Sequence, residues 1–98
     1  MNGWHVYILR CRDGTLYTGI AIDLGRRLEA HRRGAAAKYT RSRRPVALVY
    51  QECQPDRSSA LKREAALRRL GRAGKLALIA PRRTRRSRVR LQTGNAPQ

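Results

Sequence analysis

Two apolar runs, Val6–Cys11 and Leu16–Ile20, flank the pair Asp13-Gly14, and this arrangement commits the start of the chain to a β-hairpin. Side chains alternate faces along a strand, so the length of the turn decides which residues share a face. A two-residue loop on Asp13-Gly14 places Arg10 opposite Tyr17 and sends Tyr7 to the other face. A three-residue loop, Arg12-Asp13-Gly14, with Gly14 in the left-handed bulge position, pairs Leu9 with Tyr17 and Tyr7 with Gly19. We expect the three-residue loop. It sets Tyr7 and Tyr17 on one face, and Gly19 leaves open space beside Tyr7.

A helix follows. Asp23 offers an N-cap, and Leu24, Arg27, Leu28 and His31 recur at i, i+3, i+4 and i+7. The pattern runs to Arg33, and Gly34 provides a stop. An arginine and a histidine on the inward stripe of a short helix cost desolvation unless something pairs with them. They are the first sign of a site.

The rest of the chain completes one small domain. Trp4, Val6 and Ile8 form a core face, while His5, Tyr7 and Leu9 point the other way, His5 as a partly exposed edge residue. Ala35 to Pro45 reads as a loop, since three alanines are too short a run for an independent helix. Val46 to Cys53 is a third strand, with Val46, Leu48 and Tyr50 on one face and Ala47 and Val49 on the other. Both faces look covered, as in a central strand. A second helix, Ser58 to Leu70, carries Ala60, Glu64 and Leu67 along one stripe. A third, Gly71 to Ala80, is expected to pack Leu76, Ile79 and Ala80. From Pro81 onward there are six arginines, no acid and two large aliphatic residues, a composition expected to be disordered on its own. The expected architecture is therefore α/β (α+β). Residues 1–80 form a three-stranded, mainly antiparallel sheet flanked by about three helices, and residues 81–98 an Arg-rich tail.

The 98 residues carry a net charge of +17, with 23 Lys and Arg against 6 Asp and Glu. Such a surface calls for a polyanion, nucleic acid first. No apolar run reaches the roughly 20 residues needed to span a bilayer, so no membrane partner is expected, and no signal peptide is read at the N-terminus. Cys11 and Cys53 are isolated and only two histidines are present. Zinc is therefore not expected, and two free thiols suit a reducing cytoplasm. Arg32, Arg33, Lys38, Arg41, Arg43 and Arg44 suit phosphate contacts, with Tyr39 among them as one stacking ring. The plain alternative is a solvated basic loop, in which Thr40 holds the chain by hydrogen bonding. Glu64 is the only acid of its helix. It either forms a surface pair with Arg68, worth a few tenths of a kcal/mol, or faces inward with a function.

Taken together, Tyr7 in His5-Val6-Tyr7, the run Tyr17-Thr18-Gly19, Arg27 with His31 one turn on, Lys38-Tyr39-Thr40 and the later helical Glu64 resemble the GIY-YIG nuclease family. The resemblance covers roughly residues 4 to 80 and is greatest to the small stand-alone bacterial members. It departs from the pattern in two respects: the chain's asparagines are Asn2 and Asn95, neither at the family's late asparagine position, and where the family's larger members carry a separate DNA-binding domain only a basic tail is expected here. The resemblance implies a metal-dependent endonuclease acting on DNA rather than RNA, on branched or damaged forms, with little sequence specificity. It makes Glu64 the ligand of one hard divalent cation, Mg²⁺ (or Mn²⁺), with waters and a phosphate oxygen completing the shell. Tyr7 or Tyr17 becomes the activator of water, and Arg27 a clamp on the phosphoryl charge. His31 would hydrogen-bond a tyrosine or phosphate or take part in proton transfer. The rival reading is a non-catalytic nucleic-acid-binding protein, RNA- or ribosome-associated, that retains the fold. A third is a basic subunit of a larger repair complex.

Overall fold

The structure, a computed structural model, describes residues 3–80. The Arg-rich segment expected from Pro81 onward lies outside the described residues. Strand β1 (Trp4–Arg10) and strand β2 (Leu16–Ala21) form the expected hairpin, with Leu9 opposite Tyr17 and Tyr7 opposite Gly19. The turn is the three-residue one. Cys11 N–H donates to the Thr15 carbonyl at 2.8 Å, and Gly14 takes φ +86, a conformation in which a side chain would be strained. Asp13 braces the turn by accepting from both the backbone N–H and the hydroxyl of Thr15.

Helix α1 (Leu24–Arg33) begins where Asp23 accepts from the Arg26 N–H at 3.0 Å and ends at Gly34, φ +80. A single-turn helix α2 (Lys38–Arg41) lies inside the segment expected to be loop. No run of helix formers makes it. Thr40 is buried and bonded to α1, and that tertiary anchor closes the turn, which local propensity could not disclose.

Strand β3 (Ala47–Gln54) pairs antiparallel with β1, giving the order β2-β1-β3. The central strand is therefore β1, and β3 is an edge, which corrects the expectation of two covered faces. Ala47, Leu48, Gln51 and Cys53 are exposed. The face assignment changes too. Between Ile8 and Leu9 the register slips: Ile8 pairs with Tyr50 but Leu9 with Leu48, leaving Val49 as the extra residue of a β-bulge. Tyr50 thus joins Val6 and Ile8 in one core cluster, while Val46 packs with Tyr7 and Leu9 on the opposite face.

Helix α3 (Arg57–Arg69), capped by Asp56 on the Ser59 N–H, and helix α4 (residues 71–80) cover the Val6/Ile8 face through Ala60, Leu67 and Ile79. The inward stripe of α4 runs through Lys75, Leu78 and Ile79, so Leu76 and Ala80 turn outward, contrary to expectation. The Lys75 stem fills the place an aliphatic side chain would take. Helix α1 covers the other face with Leu24 and Leu28. Counting α2, there are four helices among the described residues, and none is long and apolar enough to cross a membrane.

Candidate active site

The hairpin register brings the two strand tyrosines together, with ring centroids 6.5 Å apart. Gly19 makes this possible. A Cβ at that position would lie 2.6 Å from the Tyr7 hydroxyl, closer than side chains approach, and a tight 3.2 Å from the Tyr17 ring. The Tyr-x-Gly spacing therefore has a steric cause: Tyr7 reaches across its neighbour strand at the one residue without a side chain.

His31, fully buried on α1, meets both rings edge-on, with centroids 5.8 Å from Tyr7 and 5.4 Å from Tyr17. Its Nε2 lies 2.9 Å from the Tyr7 hydroxyl and its Nδ1 2.8 Å from the Thr40 hydroxyl. The direction of this chain follows from its far end. The Thr40 hydroxyl also lies 3.2 Å from the Ala37 carbonyl, which can only accept; with its proton there, Thr40 accepts from Nδ1–H. Nε2 is then the acceptor, and Tyr7 donates to it. Burial, with the Arg27 charge second, holds His31 below the usual histidine range, which agrees with this neutral tautomer. Thr40 was legible as a loop holder, but its partner was not, because nine residues and a loop separate it from His31.

Tyr7 is completely buried, and its hydroxyl is pushed up to about 12 by burial first and then by Tyr17. A hydrogen bond and positive charge from Arg27 pull the other way, and the negative charge of Glu64 adds a smaller upward push. Arg27 and Glu64 thus both act on the Tyr7 oxygen, one from α1 and the other from α3. Arg27 is exposed and rests on the Ile20 carbonyl at 3.4 Å. Glu64 combines the surface pair and the inward position expected of it. Its side chain is only 17% exposed, next to the buried Ala60–Leu67 stripe, and it pairs with Arg68 at 3.1 Å. Arg68 also donates to the Thr18 carbonyl at 3.3 Å, tying the acid to the strand that carries Gly19. Arg68 had no sequence signal beyond its i+4 spacing from Glu64.

No three His, Cys, Asp or Glu side chains group to hold a metal among the described residues. A single buried-edge carboxylate suits a cation such as Mg²⁺, which keeps most of its waters and takes one or two carboxylates plus substrate phosphate. Glu64 fits that pattern.

The basic residues divide into two sets. Lys38, Arg41 and Arg33 are exposed, and Arg32 pairs only with Glu29 on the surface at 3.0 Å. Arg33 and Arg27 line an open groove of about 370 Å³ with Trp4, Ile22 and Arg26. Arg43 and Arg44, by contrast, are turned onto the protein. Arg44 donates to the Arg41 and Arg32 carbonyls, closing the ends of α2 and α1. Arg43 pairs with Asp13 at 3.1 Å, donates to the Tyr39 carbonyl and lies 4.0 Å over the Tyr39 ring. Tyr39 also makes an offset stack on Tyr17, with centroids 5.9 Å apart and planes at 23°. The Tyr39 ring is thus engaged by Arg43 and Tyr17 within the protein, and a base would have to compete with these contacts.

Comparison with known proteins agrees with the geometry. The family model for the GIY-YIG catalytic domain matches residues 3–77. A UPF0213 protein of Staphylococcus aureus is 52% identical over 82 residues, spanning 84% of this chain and 100% of that protein. The solution NMR structure of a UPF0213 protein from Bacillus halodurans shows the same architecture. It has a TM-score of 0.52 and 41% identity, covering 82% of this chain and 84% of that one.

Proposed function

The chain belongs to the GIY-YIG catalytic-domain family, and on that premise we propose that it is a metal-dependent endonuclease hydrolysing DNA phosphodiester bonds. Its substrates are branched or damaged forms met in repair, cut with little sequence specificity. The observation that carries this reading is the packing of Tyr7, Tyr17 and His31 against one another, with Arg27 and Glu64 as the charged groups that bear on the Tyr7 hydroxyl.

Each residue has a distinct task. Tyr7, buried and protonated at neutral pH, cannot take a proton from water; it holds His31 and, through Arg27, the edge of the pocket. That leaves Tyr17, which is only partly buried, as the phenol that meets and orients the attacking water. Arg27 pairs with the non-bridging phosphate oxygens, a fork geometry that also counters the charge gained in the transition state. His31 fixes the angle of both rings from behind. Glu64 is the protein ligand for Mg²⁺ or Mn²⁺, which when bound neutralises phosphate charge and stabilises the leaving oxygen. Lys38, Arg41, Arg32 and Arg33 supply sequence-independent phosphate contacts. The two free cysteines, Cys11 buried and Cys53 exposed, suit a reducing cytoplasm.

One observation favours a second reading, nucleic-acid binding without cleavage by an RNA- or ribosome-associated protein. Glu64 already pairs with Arg68, so a cation must compete for its carboxylate. A cleavage panel decides between the two. Single-stranded, duplex and branched DNA are incubated with Mg²⁺ or Mn²⁺ and wild-type, Glu64→Ala or Arg27→Ala protein. Metal-dependent cutting lost in both folded variants supports the nuclease. No cutting by any protein, with salt-sensitive binding unchanged by Glu64→Ala, overturns it in favour of binding alone.

A further inference from the structure

We propose that Tyr39 and Arg43, braced by Asp13, are positioning residues that set the orientation of Tyr17 and do not contact nucleic acid themselves. The inference rests on the reading of Tyr17 as the phenol that faces the substrate.

Four side chains form one column across the open side of the site. Asp13, in the β1–β2 turn, is fixed by two bonds from Thr15 and accepts from Arg43 Nε at 3.1 Å. The Arg43 guanidinium lies flat enough over Tyr39 to place its carbon 4.0 Å from the ring centre, and Nη1 donates to the Tyr39 carbonyl at 3.0 Å. Tyr39 in turn stacks on Tyr17. The backbone locks the same elements together, since Arg12 N–H donates to the Arg43 carbonyl at 2.9 Å.

Tyr17 is thereby held from two sides. His31 meets its ring edge-on at 66° and Tyr39 stacks beside it in an offset arrangement at 23°. A phenol hinged at the end of a strand side chain has freedom about two bonds, and these two contacts restrict it. Only the column's Tyr17 end packs against a buried cluster, that of Tyr7, Leu9 and Ala21. Tyr39 is 38% exposed, and the Arg43 and Asp13 side chains are 35% and 45% exposed. A purely structural purpose has little to act on at such a surface, whereas a reacting group needs its angle fixed before substrate arrives. The same geometry removes Arg43 from the set of free cations: its guanidinium lies against the Tyr39 ring and two of its donors point at the protein.

The test uses the full chain with Tyr39→Phe, Tyr39→Leu and Arg43→Lys, and Arg41→Lys and Lys38→Ala as controls on the exposed basic set. Single-turnover rate and dissociation constant are measured on a cleaved DNA, and the Tyr17 ring protons are followed by NMR without DNA. Phenylalanine keeps the stack and is expected to cut at nearly the wild-type rate. Tyr39→Leu is expected to lower the rate about tenfold to a hundredfold, the scale of a misplaced reacting group, with unchanged affinity and shifted Tyr17 resonances. Arg43→Lys keeps the charge but loses the planar contact, and is expected to lower rate and not affinity. Lys38→Ala is expected to weaken affinity instead. Tyr39→Leu cutting like wild type, or losing affinity alone, overturns the proposal. Unshifted Tyr17 resonances overturn it as well, and that arm stands even if the wild-type protein cuts no DNA, a result that would count against the nuclease reading alone.

Discussion

The proton on the Tyr7 hydroxyl points at His31 because Thr40, at the other end of the imidazole, has already given its own proton to a carbonyl. This arrangement and its neighbours lead to four predictions. Tyr7→Phe leaves Nε2 of a buried histidine without its donor and is expected to cost about 1–3 kcal/mol in urea unfolding. Tyr17→Phe removes a partly exposed hydroxyl, so stability is retained while the single-turnover rate falls about a hundredfold or more. Equal rate losses in the two variants would contradict the division of roles. His31 sets a pH dependence. Its proton affinity is lowered in the folded state, so the unfolded chain binds the proton first as pH falls below about 6.5. The His31 contribution is present above that pH and lost below it. The wild-type melting temperature should therefore fall between pH 7 and 5 more steeply than that of His31→Gln; parallel curves would refute the buried neutral imidazole. Gly19→Ala forces a Cβ within 2.6 Å of the Tyr7 oxygen and is expected to destabilise by about 1–3 kcal/mol, again read by urea unfolding.

At the scale of elements, what could be read in the chain depended on whether the cause was local. The hairpin register was legible because turn length and strand alternation determine it, and both lie in consecutive residues. The ends of α1 were legible for the same reason: Asp23 and Gly34 act on their own helix termini. Asp23→Ala should cost about 1 kcal/mol by removing the acceptor for the Arg26 N–H. Three features were hidden because their causes are distant. The bulge at Val49 is imposed by pairing with β1, and a strict alternation carried through it gives Leu48 and Tyr50 the wrong common face. The helix α2 exists because Thr40 is bonded to α1. The edge position of β3 follows from strand order, which its apolar composition masked. The site shows the same split. Tyr7, Tyr17, Arg27, His31 and Glu64 were named through the family resemblance, with spacing giving only the shared face of the tyrosines and the Arg27–His31 stripe, while the contacts of Tyr39 and the inward turn of Arg43 and Arg44 needed the fold.

For the whole molecule, the net charge of +17 makes electrostatics the largest sequence-independent source of affinity for a polyanion. The six arginines after residue 81 and the exposed set on α1 and α2 would act through phosphate contacts, each adding about 0.9 to the slope of log affinity against log salt. Replacing those six by serine in the full chain should flatten that slope and weaken binding to every DNA form alike, with the cleavage rate of bound DNA preserved. Affinity and chemistry are separable in this account, because the charges that attract DNA are not those that act on the phosphate. The most direct measurement is therefore the single-turnover cleavage rate as a function of Mg²⁺, for wild type and Glu64→Gln on the DNA form that wild type cuts best. The account predicts a saturable metal dependence in wild type and a rate at least about a hundredfold lower in the variant, with DNA binding retained. A Glu64→Gln protein that cuts at the wild-type rate, with the same metal dependence, would contradict it.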